Sequence, residues 1–415
     1  MIPKADILDL AKLQELQPTT VEKDYVLGWL LYAIAQHPRL SHWVFKGGTC
    51  LKKCFFETYR FSEDLDFTIP ADEAIDDDAI KKALTEIAEW AENAAGIQFP
   101  RDGIEVEGYD NKRNKRAYQG KVTYVGPLSL PRRQLQRIEF DLTQDEIIVE
   151  TPAPRAVHHG YTDALDPSPS VACYSINEVL AEKTRALYER QGRARDLYDL
   201  VHLSRNFREK INPTAAVSVA RKKFSFKALP EPTVDSIVAR VDADVLRTNW
   251  TDQLGHQLPH LPPVEPFLGE MRDAIAWWLQ PAVASAPLTP IPSTGAEEVI
   301  PRQYFPPAAQ PAHRLGSGES LGRAAPAINA GYDTMEHIRY GARNHLCVRV
   351  VYHGVPRIVE PYSLRHARTG NTLLYVWEIQ RGGYPGGGIK AFKVREIRSA
   401  EATAQPFAPR YFIEL

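Results

Sequence analysis

Apolar residues recur at helical spacing at the start of the chain. Ile7, Leu8, Leu10, Leu13 and Leu16 lead a stretch, residues 4–38, that reads as two helices. The period then changes. Trp43-Val44-Phe45-Lys46 reads as a strand entering a tight turn at Gly47-Gly48-Thr49, with a helix beyond it. From Phe61 to Ile69 the alternation is clean, with Leu65, Phe67 and Ile69 on one side and Asp64, Asp66 and Thr68 on the other. That pattern predicts a strand with one face in a core. A helix over about 78–94 follows, then short alternating runs ending in Ile138-Glu139-Phe140-Asp141-Leu142.

A second helical block opens near Ser175, where Ser175 and Glu178 carry the capping-box spacing ahead of a helix running to about Arg190. Gly192 interrupts it, a helix covers about 194–205, and helical periodicity continues to about Trp278 with a break at Pro259–Pro266. Nine prolines between 281 and 326, among many Ala, Gly and Ser residues, predict a linker over 281–328. Beyond it, residues 329–415 read as a β-rich unit. Its expected strands are Leu346–Tyr352, Arg357–Glu360, Leu373–Glu378, Ile389–Val394 and Arg410–Leu415, with Gly-rich turns at 382–388.

Composition narrows the class. The chain has 415 residues, 44% hydrophobic and 25% charged, which excludes wholesale disorder, collagen-like repeats and coiled-coil rods and predicts two or three domains. Fifty Lys and Arg against 52 Asp and Glu leave a formal charge of −2. A globally basic nucleic-acid coat is therefore excluded, while local patches are not. Cys50, Cys54, Cys173 and Cys347 lack metal-finger or disulfide-framework spacing and suit a reducing compartment. Early charges at Lys4, Asp6 and Asp9 do not suit a signal peptide, and the uncharged stretch Tyr25–Pro38 is too short to cross a bilayer. A cytoplasmic protein with no membrane partner is expected.

The chemistry gathers around Phe45-Lys46-Gly47-Gly48-Thr49 and, fifteen positions after Thr49, Asp64-Leu65-Asp66. Carboxylates at i and i+2 on a strand share a face, repel one another, and are stabilised by a divalent cation between them. Paired glycines let backbone amides approach a phosphate at a helix N-terminus. Alone, each feature reads as a plain turn or a solvated strand face. On opposite sides of one helix they read as a site for a Mg²⁺-bound triphosphate attacked by a hydroxyl. Such chemistry asks for a third carboxylate, and Asp141 is the candidate, although its alternation suits any amphipathic strand.

Lys183 falls on the apolar stripe of its helix with Leu180 and Leu187, and Asp196 shares a side of the next helix with Leu200 and Leu203. The pair is either an ion pair locking a helical hairpin or the far wall of an active-site cleft. Residues 111–137 hold Lys112, Arg113, Lys115, Arg116, Lys121, Arg132, Arg133 and Arg137 and no acid, with Tyr118 and Tyr124 among them and Tyr109 just before. This mixture suits an RNA strand, by phosphate contact and base stacking. His158-His159 reads as a surface pair, and Cys50 and Cys54 as packing residues. Neither a Ser-His-Asp arrangement nor a dinucleotide fingerprint is present.

Three runs resemble the AbiEii/AbiGii toxin family of nucleotidyltransferases: Val21–Tyr25, Phe45–Lys53 and Arg60–Phe67. Glu182–Leu187 and Arg193–Leu200 are similar to that family's second block, and the likeness extends over about residues 1–280. It implies an α+β fold, a polymerase-β-like nucleotidyltransferase core (1–170) with a helical half (171–280) completing the cleft. It also implies a toxin of a toxin–antitoxin or phage-defence system with a cognate antitoxin, transferring NMP from an NTP to RNA, above all the tRNA 3′ end. Carried over, Asp64 and Asp66 bind Mg²⁺ or Mn²⁺ and the turn Gly47, Gly48 and Thr49 binds phosphate; Asp141 is added as third metal ligand from its strand pattern, and Lys46 and Ser62 as neighbours of the nucleotide. Lys183 and Asp196 become the essential lysine and aspartate.

The C-terminal unit resembles a WYL domain, an Sm/SH3-like β-barrel, through Arg357–Leu364, Leu374–Trp377 and Phe392–Ile397. The likeness implies a ligand- or nucleic-acid-sensing role, with Arg357, Tyr362 and Arg395 around an anionic ligand. The competing class is a non-catalytic sensor built on a degenerate transferase fold. The intact Asp-x-Asp argues against it.

Overall fold

A computed structural model describes residues 1–56, 60–111, 113–281, 288–293, 295, 297–300 and 330–415. Lys112 and most of the proline-rich stretch lie outside the described residues. Helices α1 (Lys4–Leu13) and α2 (Pro18–Gln36) come first. From Tyr25 to Ile34 every residue of α2 is buried, so this helix is apolar all round and runs through the core. Strand β1 (Val44–Lys46) leads into α3 (Gly47–Cys50), which continues through a π-helical turn over Leu51–Phe55. Then come β2 (Asp64–Thr68), α4 (Asp77–Ala95), β3 (Ile104–Asp110), β4 (Arg116–Tyr124), β5 (Gln136–Thr143), β6 (Ala153–Ala156) and β7 (Ser170–Cys173).

These strands form one mixed sheet in the order β3-β4-β5-β2-β1-β7-β6. Strand β2 pairs antiparallel with β1 and parallel with β5. The alternation in β2 sends Leu65 and Phe67 into the core, where Phe67 stacks on Phe45 with ring centroids 5.0 Å apart. Asp64 and Asp66 are left on the other face.

Six helices follow: α5 (Ile176–Arg190), α6 (Ala194–Asn206), α7 (Pro213–Phe226), α8 (Val234–Val238), α9 (Ala243–Leu254) and α10 (Val264–Leu279). Helix α5 packs on α6 and α7, and α6 on α9 and α10. Half of the expected capping box is made. Ser175 Oγ accepts from the Glu178 amide, but the Glu178 carboxylate accepts instead from the amides of Val149 and Glu150 and pairs with buried Lys223.

The C-terminal unit curls a second sheet into a half-barrel. Within the proline-rich stretch, β8 (Glu297–Val299) adds a strand to it. Helix α11 (Ala330–Asn344), which the sequence reading does not anticipate, precedes β9 (Leu346–Tyr352), β10 (Val355–Ala367), β11 (Thr372–Arg381), β12 (Tyr384–Pro385), β13 (Ile389–Lys393) and β14 (Ile397–Pro406). The expected strand at Arg410–Leu415 is not one. Its apolar Ile413 and Leu415 are buried, but the segment makes a lone bridge from Phe412 to Pro290, and β14 closes the sheet in its place.

Helix α11 joins the two cores. Met335, Ile338 and Ala342, at i, i+3 and i+7, face the half-barrel, while Tyr340 packs into the larger core. The Tyr198 hydroxyl on α6 donates to Asn344 Oδ1 at 2.9 Å, and Asn206 Nδ2 donates to the Arg343 carbonyl at 3.2 Å.

Candidate active site

Parallel pairing sets Asp64 opposite Glu139 and Asp66 opposite Asp141. Because side chains alternate along each strand, Asp64, Asp66 and Asp141 share one face of two adjacent strands. The glycine turn lies against them. Gly47 has φ +80°, and a Cβ there would stand 2.0 Å from Asp66 Oδ2, so both backbone conformation and space require glycine. A Cβ on Gly48 would meet Arg60 Nη2 at 2.7 Å and Ser62 Oγ at 3.0 Å.

The three carboxyls are all pushed above the usual range. Burial raises Asp64 first and the charge of Asp66 second, with Arg195 and Lys23 opposing. Burial raises Asp66, with Lys46 and Lys183 opposing. The Asp141 side chain is exposed at the lip of the cleft, yet surrounding protein displaces much of its water. That desolvation, followed by the charges of Asp66 and Asp64, pushes it up to about 6. Among the described residues Asp66 and Asp141 make no ion pair, and Asp64 makes a single long one, 3.9 Å to Arg195. A crowded set of hard oxygens with so little compensation fits a divalent cation.

The helical half supplies the facing wall. Lys183 Nζ lies 2.7 Å from Asp199 Oδ2 and 3.5 Å from Asp196 Oδ1. Asp196 is buried, and its Oδ2 accepts no hydrogen bond among the described residues. Asp199, fully buried, also holds Arg60 in a two-point pair at 2.7 and 2.8 Å, and these cations outweigh its burial to keep its carboxyl well below the usual range. Lys183 and Asp196 form an ion pair, and both line the cleft. Asp199 is the residue that sequence reasoning missed. Its signal is the i, i+3 spacing from Asp196, one helical turn on.

Lys46, Gly47, Gly48, Ser62, Asp64, Asp66, Asp141, Lys183 and Asp196 all line one inner cleft of about 110 Å³. Lys46 Nζ is held 3.0 Å from Glu182, whose second oxygen faces Lys223. Thr49 does not join them. Its buried hydroxyl donates to the Asp64 carbonyl at 2.6 Å and ties the turn to β2 from behind. A second, larger cleft of about 540 Å³ opens beside Asp64, lined by Lys23, Glu63, Leu135, Gln136, Arg137, Glu139, Arg193 and Arg195.

The basic run 111–137 does not form one patch. Arg113, Lys115 and Arg116 lie at one end of the β4–β5 pair, and Arg132 and Arg133 at the other, roughly 27 Å away at about 3.4 Å per residue. Arg113 pairs with Asp145, Arg116 with Asp77 and Arg132 with Asp102. Tyr118 and Tyr124 are buried, so neither is available to stack on a base. His158-His159 is not a surface pair either, because His159 is buried among Tyr25, Trp29, Tyr32 and Tyr161.

In the C-terminal unit the three residues expected around an anion are engaged elsewhere or exposed. Arg357 pairs with Glu378, the buried Tyr362 hydroxyl donates to Glu360 at 2.7 Å, and Arg395 is exposed. Buried Glu378 already neutralises the positive charge of Arg357 that an anion would need.

Comparison with known proteins now gives the class: the chain is a nucleotidyltransferase by family. Residues 29–281 match the family described as nucleotidyl transferase AbiEii toxin, type IV TA system. The match spans more than half of the chain, which belongs to this family of nucleotidyltransferase toxins of type IV toxin–antitoxin systems. Membership implies a cognate antitoxin. Among solved structures, MenT4, a nucleotidyltransferase toxin from Mycobacterium tuberculosis, is similar at TM-score 0.47 and 20% identity, over 68% of this chain and 90% of that one. No curated protein matches the chain. Among the described residues, no helix is long and apolar enough to cross a membrane.

Proposed function

We propose that this protein transfers a nucleoside monophosphate from an NTP to the 3′ hydroxyl of an RNA, the tRNA 3′ end being the acceptor. The observation that carries this reading is the set Asp64, Asp66 and Asp141 on one strand face against the Gly47 turn. These carboxylates would hold Mg²⁺, or Mn²⁺ in its place, which when bound neutralises phosphate charge and favours the ionised attacking oxygen.

The chain's own groups do the rest. Backbone at Gly47 and Gly48, the Ser62 hydroxyl and the Lys46 ammonium face the triphosphate, while the Thr49 side chain stays behind the turn. Lys183 offsets phosphate charge, and Asp199 fixes its position. Asp196 Oδ2, which lies 3.7 Å from Arg190 and accepts no hydrogen bond among the described residues, accepts from the RNA hydroxyl and orients it. The hydroxyl oxygen bonds to the α-phosphorus, the bond to pyrophosphate breaks, and the hydroxyl proton passes to a cleft carboxylate. The larger cleft, with Arg137, Arg193 and Arg195, is the route by which the RNA 3′ end reaches Asp64. Four free thiols suit a cytoplasmic setting. The C-terminal half-barrel is read as the WYL-like module, docked on α6 through Asn344.

The test incubates the protein with each labelled NTP, Mg²⁺ and total tRNA. Label enters RNA with the wild type and not with Asp64→Ala, whose circular dichroism is unchanged. Undiminished transfer by that variant would refute the assignment.

A further inference from the structure

Behind the glycine turn, away from the cleft, three cysteines meet. Cys50 ends α3, Cys54 lies in the π-helical turn after it, and Cys173 ends β7, the neighbour of β1. Their Sγ atoms all lie within 4.8 Å of one another, and all three side chains are fully buried. Packing accounts for a small apolar side chain at each place, but not for three sulfurs brought to one point from segments more than a hundred residues apart.

Burial raises the Cys50 and Cys173 thiols and opposes charge on Cys54, whose thiol is nonetheless lowered by contacts from Cys173 and Cys50 and by the charges of Arg155 and Lys53. Arg155 lies over the Phe55 ring at 4.0 Å, and its Nε makes no hydrogen bond among the described residues. A guanidinium left so near buried sulfur is available to offset thiolate charge.

We propose that Cys50, Cys54 and Cys173 form a three-coordinate thiolate site for a soft monovalent cation, Cu(I). The donor set decides the class of ion. Thiolates select soft metals, and the cluster offers three ligands among the described residues, one short of the tetrahedral set that zinc takes in structural sites. With metal–sulfur bonds of about 2.3 Å, a trigonal site needs sulfurs roughly 4 Å apart, a contraction of under about 1 Å from the present limit. Binding involves no redox change. One Cu(I) enters, and each bound sulfur releases its thiol proton, including those that Cys50 and Cys173 now direct to the Phe45 and Val171 carbonyls. A loaded site would tie the helix that begins at Gly47 to β7.

The experiment titrates the full chain anaerobically with Cu(I) in competition with bicinchoninate. One equivalent is expected to bind and to raise the melting temperature. Cys54→Ala should weaken binding by more than about a hundredfold, beyond the loss from disturbing a metal's supporting shell, while Cys347→Ala binds as the wild type does. X-ray absorption of the loaded wild type should show three sulfur neighbours, a result independent of whether any variant folds. Failure to take copper from the chelator, two-sulfur coordination, uptake of Zn²⁺ alone, or unchanged binding by a folded Cys54→Ala chain each overturns the proposal.

Discussion

Asp141 on β5 stands opposite Asp66 on β2, in register across a parallel strand pair. A slip of one residue would turn Asp141 to the far face and leave the pair on β2 without a third oxygen donor. Without a cation the arrangement is repulsive, and after burial it is the charge of Asp66 that pushes up the carboxyls of both Asp64 and Asp141. Asp66→Asn is therefore expected to melt higher than the wild type in EDTA, by about 2 °C, and to lose nucleotide transfer. Calorimetry with and without Mg²⁺ checks this. The wild type should gain stability from the ion, and the variant should not.

The two aspartates of α6 separate by role. Asp199 is buried between Arg60 and Lys183, so Asp199→Asn leaves two cations short of a partner and costs about 3–5 kcal/mol of stability. Asp196 sits farther from its cations, 3.5 Å from Lys183 and 3.7 Å from Arg190, and its Oδ2 accepts no hydrogen bond among the described residues. Asp196→Asn should therefore cost less stability than Asp199→Asn while cutting transfer about a hundredfold. Urea unfolding beside initial rates distinguishes them. Equal destabilisation by both would remove Asp196 from the chemistry.

Asp64 and Asp66 were legible because strand alternation alone puts both on one face. Asp141 was half legible: its alternation is that of any amphipathic strand, and its partner is chosen by a pairing between residues 75 positions apart. Asp199 hid among the apolar residues of α6, and the Arg60 that explains it comes from a segment 139 positions away. The basic run misled because neighbours in sequence that flank a strand end up at its opposite ends. Helix α11 has a readable stripe at Met335, Ile338 and Ala342, but the proline-rich stretch before it and the strands after it drew the whole unit to β.

The pH dependence follows from Asp141. In the folded chain without metal its carboxyl titrates at about 6, against an ordinary 3.8. Between those values the folded state keeps a proton that the unfolded chain has lost, so stability falls as pH rises across that window. The same proton competes with a divalent cation. Mn²⁺ affinity, followed by electron paramagnetic resonance, should rise up to about tenfold per pH unit below about 6 and level off above. A flat profile would take Asp141 out of the ligand set.

Gly47→Ala tests the turn. The left-handed backbone costs an alanine about 1–2 kcal/mol, and the new Cβ would force Asp66 aside. Divalent affinity should drop about tenfold, with transfer falling further. Wild-type Mn²⁺ affinity in this variant would mean that Asp66 binds no metal.

The route of the RNA separates the two halves of the basic run. Arg137 and Arg193 line the large cleft beside Asp64; Arg137 pairs with Glu139 on its own strand at 3.0 Å, and Arg193 makes no ion pair among the described residues. Arg113 and Arg116 are paired with Asp145 and Asp77 at the other end of β4. Each phosphate contact made on binding releases condensed counterions and steepens the dependence of affinity on salt, so losing two should flatten it by about two in the logarithmic slope. The Arg137→Ala/Arg193→Ala double variant is therefore expected to raise the KM for RNA about tenfold, with the KM for NTP unchanged. Arg113→Ala/Arg116→Ala should leave both values near the wild type, because those guanidinium groups stand at the far end of the β4–β5 pair and do not line that cleft. The reverse order of effects, measured on the same labelled RNA across a salt series, would move the acceptor to the far end of the sheet.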